Sequence, residues 1–112
     1  MGQSREELST LSRAALAEGR VDQALLLLEQ AIKSSGSERS LPELYNQMGV
    51  ALSLRGDYIR AAEFFKEALS RVQQQSGVDH SAQIPYILNL AEVDRKLGRN
   101  AETLAAYLEA SR

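Results

Sequence analysis

Apolar and small residues recur along the chain with the spacing of one face of an α-helix, most clearly from Gly56 to Leu69. Measured from Gly56, they occupy pairs of positions separated by three or four residues, namely Ala61, Ala62, Phe64, Phe65, Ala68 and Leu69. Residues three and four apart share a helix face. The same offsets measured from Gly19 and from Gly98 again reach mainly apolar or small residues, and a matching pattern precedes each glycine. The sequence therefore predicts three units, each made of two helices joined at a glycine.

The middle unit resembles the tetratricopeptide repeat, a helical hairpin with a characteristic order of aromatic, leucine, glycine and alanine positions. The matching residues are Tyr45, Met48, Gly49, Leu52, Gly56, Tyr58, Ala61, Phe65 and Ala68. The resemblance covers roughly residues 4 to 112. It implies an all-α fold with a single domain over residues 1–112, in which three helix-turn-helix hairpins stack as a short right-handed superhelix.

The predicted repeats are longer than the family norm. We place them at about 4–37, 41–76 and 80–112, with 37 residues from Gly19 to Gly56 and 42 from Gly56 to Gly98, against roughly 34 in a usual repeat. The last unit is similar to the long repeats of kinesin light chains, in which an Asp-His pair precedes a helix with Asn-Leu-Ala. Asp79, His80, Asn89, Leu90 and Ala91 fit that pattern, whereas Ser81 and Asp94 depart from it.

Capping and turn residues give the helix boundaries. The predicted helices run from after Ser4 to about Ala17, over about 21–34, 41–54 and 57–75, from near Gln83 to the turn at Gly98, and over about 100–111. Ser4 and Ser40 each begin a capping-box spacing, and Pro85 must lie in the first turn of its helix. Gly49 is in a helix, so we expect it to let two helices approach closely by facing Ala61 or Ala68.

Composition limits the classes of function. The net charge of -2 provides no basic surface for phosphates, and aromatic residues make up only 5% of the chain, so nucleic acid is a poor candidate ligand. No apolar run approaches the ~20 residues that span a bilayer, and the N-terminal residues are polar, unlike a secretory signal. We expect a soluble, cytoplasmic protein that binds neither nucleic acid nor a membrane.

The sequence offers little for catalytic or metal chemistry. His80 is the only histidine and cysteine is absent, so neither a zinc site nor a histidine-based catalytic triad can be assembled. The glycines do not have the spacing of phosphate-binding loops. The acidic residues are placed on helix surfaces, where Glu63 and Glu67 have an ordinary surface spacing. We predict that the protein is not an enzyme and has no metal or cofactor.

The resemblance implies a binding groove on the concave side, lined by the first helix of each hairpin. In the family, the position before the leucine-glycine pair contacts the backbone of a bound peptide, and it is occupied here by Thr10, Gln47 and Asn89. Amide side chains suit this role because each offers a donor and an acceptor. The other residues expected to face the groove are Arg13, Asn46, Glu92, Arg95 and Lys96. The alternative is that all of these are merely exposed polar residues of the helices.

The charges of the predicted groove favour one class of peptide and exclude another. Arg13, Arg95 and Lys96 favour an acidic segment, although Glu92 reduces this preference. Chaperone-binding members of the family hold a terminal carboxylate with lysine, asparagine and arginine. The corresponding positions here are Ser9, Arg13, Gln47, Pro85 and Asn89. The carboxylate clamp is therefore absent, and chaperone tails are not expected ligands.

Two features of the last unit depart from the pattern. Asp94 replaces an apolar residue on the buried side of its helix, and because a buried carboxylate is costly, we expect it to pair with Arg95 or Arg99 or to lie at an edge. The final predicted helix exposes Leu104, Tyr107 and Leu108 with no capping helix after it. We expect that face to contact either more of a longer protein or a second copy of the chain.

The function predicted from the sequence is a scaffold for protein–protein interaction that binds a peptide segment of a partner in its groove. The alternative is a self-association module that uses the last helix. Neither hypothesis names the partner.

Overall fold

The computed structural model describes residues 5–34, 41–75 and 80–98, and these segments are almost entirely helical. The helices are α1 (Arg5–Ala17), α2 (Val21–Lys33), α3 (Leu41–Leu54), α4 (Tyr58–Gln74) and α5 (Ile84–Lys96), with a 3₁₀ turn at His80–Gln83. No strand occurs in these segments. The all-α prediction is confirmed, with two complete hairpins followed by the first helix of a third.

A glycine with positive φ follows each of α1, α3 and α5, and at Gly19 and Gly56 the chain reverses into the next helix. Gly56 has φ +86°, a left-handed conformation that glycine adopts without a steric penalty. The amide of Asp57 donates to the carbonyl of Leu52 at 2.9 Å, and that of Gly56 donates to Ser53 at 3.0 Å. These two bonds form a Schellman motif, which satisfies carbonyls at the end of α3. Asp57 then caps α4 through its side chain.

The helix α5 begins at Ile84, with Gln83 as its N-cap, next to the predicted start near Gln83. Pro85 is the second residue of α5, inside the first turn, where its missing amide proton costs no helical hydrogen bond. The 3₁₀ turn that precedes it, together with the 17 residues of α4, accounts for part of the long spacing to Gly98. Some predicted features lie outside the described residues. They are the capping serines Ser4 and Ser40 and the last predicted helix, with its face of Leu104, Tyr107 and Leu108.

One hydrophobic core joins the hairpins. The cluster includes Leu8 of α1, Leu25 and Leu28 of α2, Leu44, Met48 and Leu52 of α3, Phe65 of α4, and Leu90 and Val93 of α5. Each fully buried leucine contributes about 1.5–3 kcal/mol relative to exposure. Because the cluster draws on every described α-helix, each hairpin depends on its neighbours for stability, as stacked repeats do.

Gly49 allows α3 and α4 to approach closely, and the nearest side chain across the contact is that of Phe65. A Cβ added at Gly49 would lie 2.5 Å from Cε1 of Phe65, so the atoms nearest to the glycine belong to an aromatic ring that was not among the predicted partners.

Asp94 is buried, as its position in the pattern predicts, and is only 2% exposed. Arg95, one of the two arginines expected to neutralise it, binds Glu92 instead, with Nη2 and Oε1 separated by 2.6 Å. Arg99, the other expected partner, lies outside the described residues. Asp94 is thus a buried carboxylate of α5, and its neighbour in the chain, Arg95, is engaged with Glu92.

Candidate functional site

The first helices of the hairpins, α1, α3 and α5, lie side by side and are joined by polar side chains. Ser12 of α1 donates to Oε1 of Gln47 in α3 at 3.0 Å, and Asn89 of α5 donates to Oδ1 of Asn46 in α3 at 2.8 Å. We call the surface that these helices share the A-helix face. All of the predicted site residues belong to these three helices, namely Thr10 and Arg13 to α1, Asn46 and Gln47 to α3, and Asn89, Glu92, Arg95 and Lys96 to α5.

Gln47 connects two helices and is not a free groove residue. Its side chain is buried at 6% exposure, and its Nε2 is 3.2 Å from Oε1 of Glu43 and 3.4 Å from Oγ of Ser9. Ser12, which donates to it, is fully buried. The Ser12 hydroxyl also lies 2.8 Å from the carbonyl oxygen of Ser9 in its own helix, so its burial alone did not predict the contact with α3.

The Asn46–Asn89 pair remains accessible, with both side chains half-buried. Their mutual bond uses one donor of Asn89 and the oxygen of Asn46. Among the described residues, no other group bonds to Nδ2 of Asn46 or Oδ1 of Asn89. If both amide groups were rotated by 180°, Asn46 would donate and Asn89 would accept. One amide nitrogen and one amide oxygen would still be available to a ligand. The pair therefore presents a donor beside an acceptor on the A-helix face.

The charged residues of this face are largely compensated. Arg13 pairs with Glu43 at 3.2 Å, and Arg95 pairs with Glu92. The hydrogen bond from Arg95 lowers the pKa of the Glu92 carboxyl, and the same bond raises the pKa of Arg95. Sequence reasoning counted the arginines but missed Glu43, which lies on α3 and meets Arg13 only in the folded chain. The positive field expected to select acidic peptides is accordingly weak.

Two aromatic residues border the charged groups. Nζ of Lys96 lies 5.3 Å from the ring centroid of Tyr58, a cation–π distance. Tyr86 of α5 is half-buried, and burial, followed by the negative charge of Glu43, raises the pKa of its hydroxyl. Neither Tyr58 nor Tyr86 was predicted as part of the site. Thr10 is exposed on α1.

A small pocket opens between α3 and α5, beside the asparagine pair. Its volume is about 170 Å³, and it is lined by Val50, Ser53, Leu54, Phe65, Asn89, Glu92 and Val93. Sites for small molecules and cofactors commonly measure about 300–1,000 Å³. The pocket is thus the size of a side-chain site. The pocket could not be predicted from the sequence because three helices contribute to its walls.

A second cavity, of about 280 Å³, lies away from the A-helix face. It is lined by Asp22, Leu25, Leu26, Glu29, Met48, Leu52, Arg55 and Arg60. Nη1 of Arg55 and Oδ1 of Asp22 are 3.0 Å apart at its edge. None of the predicted site residues contributes to it.

The described segments hold no group of three or more histidine, cysteine, aspartate or glutamate residues placed to bind a metal ion. Within the same segments, none of the helices combines the length and the apolar character needed to cross a bilayer.

Comparison with known proteins agrees with the helical architecture. A family model described as tetratricopeptide repeat matches residues 40–112, which includes the second and third predicted units. A search of curated proteins found no match, and the kinesin-light-chain-like subtype stays a prediction. Repeats of this family generally mediate protein–protein interaction and are typically non-catalytic. Since the matched segment is more than half of the chain, the chain belongs to the tetratricopeptide repeat family.

Proposed function

We propose that this chain is a protein-interaction module whose A-helix face binds a peptide segment of a partner protein. The observation that carries the proposal is the Asn46–Asn89 pair, in which a 2.8 Å bond holds the two amides together and leaves a donor and an acceptor side by side. A peptide unit offers the complementary carbonyl and N–H groups.

The mutual hydrogen bond also orients the pair before a peptide arrives. Side chains that are already fixed lose less conformational entropy on binding than free ones, a difference of about 0.5–1.5 kcal/mol for each immobilised side chain. Both asparagines are half-buried, so water competes less for their bonds than at a fully exposed site. These two features favour the asparagine pair over exposed Thr10 as the central contact.

The remaining predicted site residues have different parts in this proposal. Gln47 fixes α3 against α1 and thereby positions Asn46, the next residue along the helix. Arg13 and Arg95, each paired with a glutamate, border the face and can exchange these exposed partners at little cost. Peptide binding thus depends most on the asparagines and less on the charges.

The test uses a peptide obtained from a random displayed library by selection against the full 112-residue chain. The peptide is titrated into isotope-labelled protein, and we expect NMR shifts in α1, α3 and α5. Asn46→Ala or Asn89→Ala should weaken binding about tenfold or less, because one hydrogen bond contributes about 0.5–1.5 kcal/mol.

Gln30→Ala is a matched control, since Gln30 is an exposed amide residue on α2 outside the A-helix face. It should leave the affinity unchanged. Shifts confined to α2 and α4, or equal affinities for the wild type and both asparagine variants, would contradict the proposal.

A further inference from the structure

We infer that the pocket between α3 and α5 is an anchor site for one uncharged aliphatic side chain of the bound peptide. This inference rests on the proposed function, because it assigns a specificity to the same face. Asn89 lines the pocket and also belongs to the asparagine pair. A peptide unit bonded to Asn89 therefore places the side chain of a neighbouring residue at the pocket mouth.

The pocket walls favour an apolar occupant. Val50, Leu54 and Val93 form the sides and Phe65 contributes an aromatic surface. An apolar group transferred to such walls gains about 25 cal/mol for each Å² removed from water. The volume of about 170 Å³ accommodates a single branched aliphatic side chain, whereas a cofactor would require more space.

The charges near the pocket disfavour an ionised occupant. Glu92 also lines the pocket, and since its hydrogen bond with Arg95 keeps it ionised, it would repel a carboxylate. A lysine ammonium would have to leave water for a mostly hydrocarbon surface, and Glu92 is already paired with Arg95. Neither sign of charge is therefore selected, although the sequence alone favoured an acidic ligand.

An exposed leucine extends the apolar surface at the pocket mouth. Leu54 lines the pocket and is 60% exposed. Apolar rims of this kind exclude water from a bound anchor. The expected ligand is thus a segment in which one aliphatic residue directly adjoins the peptide unit held by the asparagines, with no charge required beside it.

The experiment starts from peptides selected from a random displayed library against the full chain, followed by synthesis of variants of one enriched peptide. We expect one position to be restricted to Val, Ile, Leu or Met. Replacing it with alanine should raise Kd about tenfold, and replacing it with aspartate, lysine or phenylalanine should raise Kd at least as much. Increasing salt from about 50 to about 500 mM should change Kd less than threefold, because no charge pair is formed.

A double-mutant cycle locates the anchor. Leu54→Ser should raise Kd for the aliphatic peptide several-fold. It should leave Kd for the alanine peptide nearly unchanged, because that peptide lacks the anchor side chain that would contact Leu54. Leu26→Ser is the matched control, because Leu26 is 61% exposed on α2 and lines the other cavity. It should not discriminate between the two peptides.

The outcomes separate the two proposals. If Asn46→Ala weakens binding but Leu54 shows no coupling to the restricted position, the inference about the pocket is wrong and the proposed function stands. Selection of acidic or aromatic residues at that position, or a Kd that rises more than tenfold with salt, also overturns the inference. If the asparagine variants bind like the wild type, the proposed function fails, and the inference fails with it.

Discussion

Replacing Gly49 with alanine tests the closest approach between the helices of the second hairpin. A Cβ at this position would lie 2.5, 2.7 and 2.8 Å from three carbons of the Phe65 ring. Carbon atoms in favourable contact are about 3.5–4.0 Å apart, so the ring or a helix must move by about 1 Å. Phe65 is 2% exposed, and any shift must displace core neighbours or enter the pocket that the ring lines.

Two effects of opposite sign determine the change in stability. Overpacking of a core costs about 1–3 kcal/mol, whereas alanine is favoured over glycine inside a helix by about 1 kcal/mol. The net expectation is a loss of about 1 kcal/mol in the free energy of unfolding. Leucine at the same position adds three more carbons, and we expect that variant to lose most of the ~5–15 kcal/mol that holds a domain folded.

Urea unfolding followed by circular dichroism measures the effect, and Phe65→Ala provides the control background. Alanine at position 65 lacks all three ring carbons that obstruct the added methyl group, so Gly49→Ala should then stabilise the protein by up to about 1 kcal/mol. The sign of the alanine effect should thus reverse between the two backgrounds. Stabilisation by Gly49→Ala in both backgrounds would refute the contact.

Three further changes test other parts of the structure. Gln47→Ala should lower the free energy of unfolding by about 0.5–1.5 kcal/mol, the net contribution of a hydrogen bond, because it removes the contacts of Gln47 with Ser12 and Ser9 of α1, while Ser12 can still donate to the carbonyl of Ser9 at 2.8 Å; urea unfolding checks this, and an unchanged midpoint would contradict it. Ser53→Ala should be neutral or stabilising by up to about 1 kcal/mol, since the buried Oγ has no hydrogen-bond partner in the described segments, and a clear loss on thermal melting would show that it has one. Because the pKa of Glu92 is lowered in the folded chain, its ionised form stabilises the fold at pH values above the ordinary glutamate pKa. This contribution is lost as the pH falls through the lowered pKa. NMR titration of the carboxyl should show its pKa rising in Arg95→Gln, and the same value in both proteins would count against the pairing.

Features set by neighbouring residues in the chain could be predicted from the sequence. The turn at Gly56 depends on a left-handed glycine and on two hydrogen bonds within one turn of α3, and both follow from local geometry. Pro85 fixes the start of α5 for the same reason, because its ring excludes all but the first helical turn. The end of α1 at Ala17 likewise matches the position of Gly19.

Features that depend on contacts between helices could not be predicted to the same depth. The periodic pattern places Gly49 on a packed face, but it does not determine whether an alanine or the ring of Phe65 fills the space opposite. The charge of Arg13 is visible in the sequence, whereas its pairing with Glu43 depends on the alignment of α1 with α3. The small pocket between α3 and α5 is the feature that is hardest to predict, because its shape depends on the packing of three helices and on the position of the Phe65 ring.

The adjacent residues Asn46 and Gln47 show why pattern alone could not separate binding from stability on this face. Both are amides one residue apart on α3, yet Gln47 points to α1, where Ser12 is buried, and Asn46 points to α5, where it meets Asn89. A helix places successive residues about 100° apart, so the middle helix of three can hold both neighbours at once. The buried amide must satisfy its partners inside the protein, while the half-buried pair keeps a donor and an acceptor for another chain. Substitutions at Gln47 should therefore act on the free energy of unfolding, and substitutions at Asn89 on the affinity for a peptide.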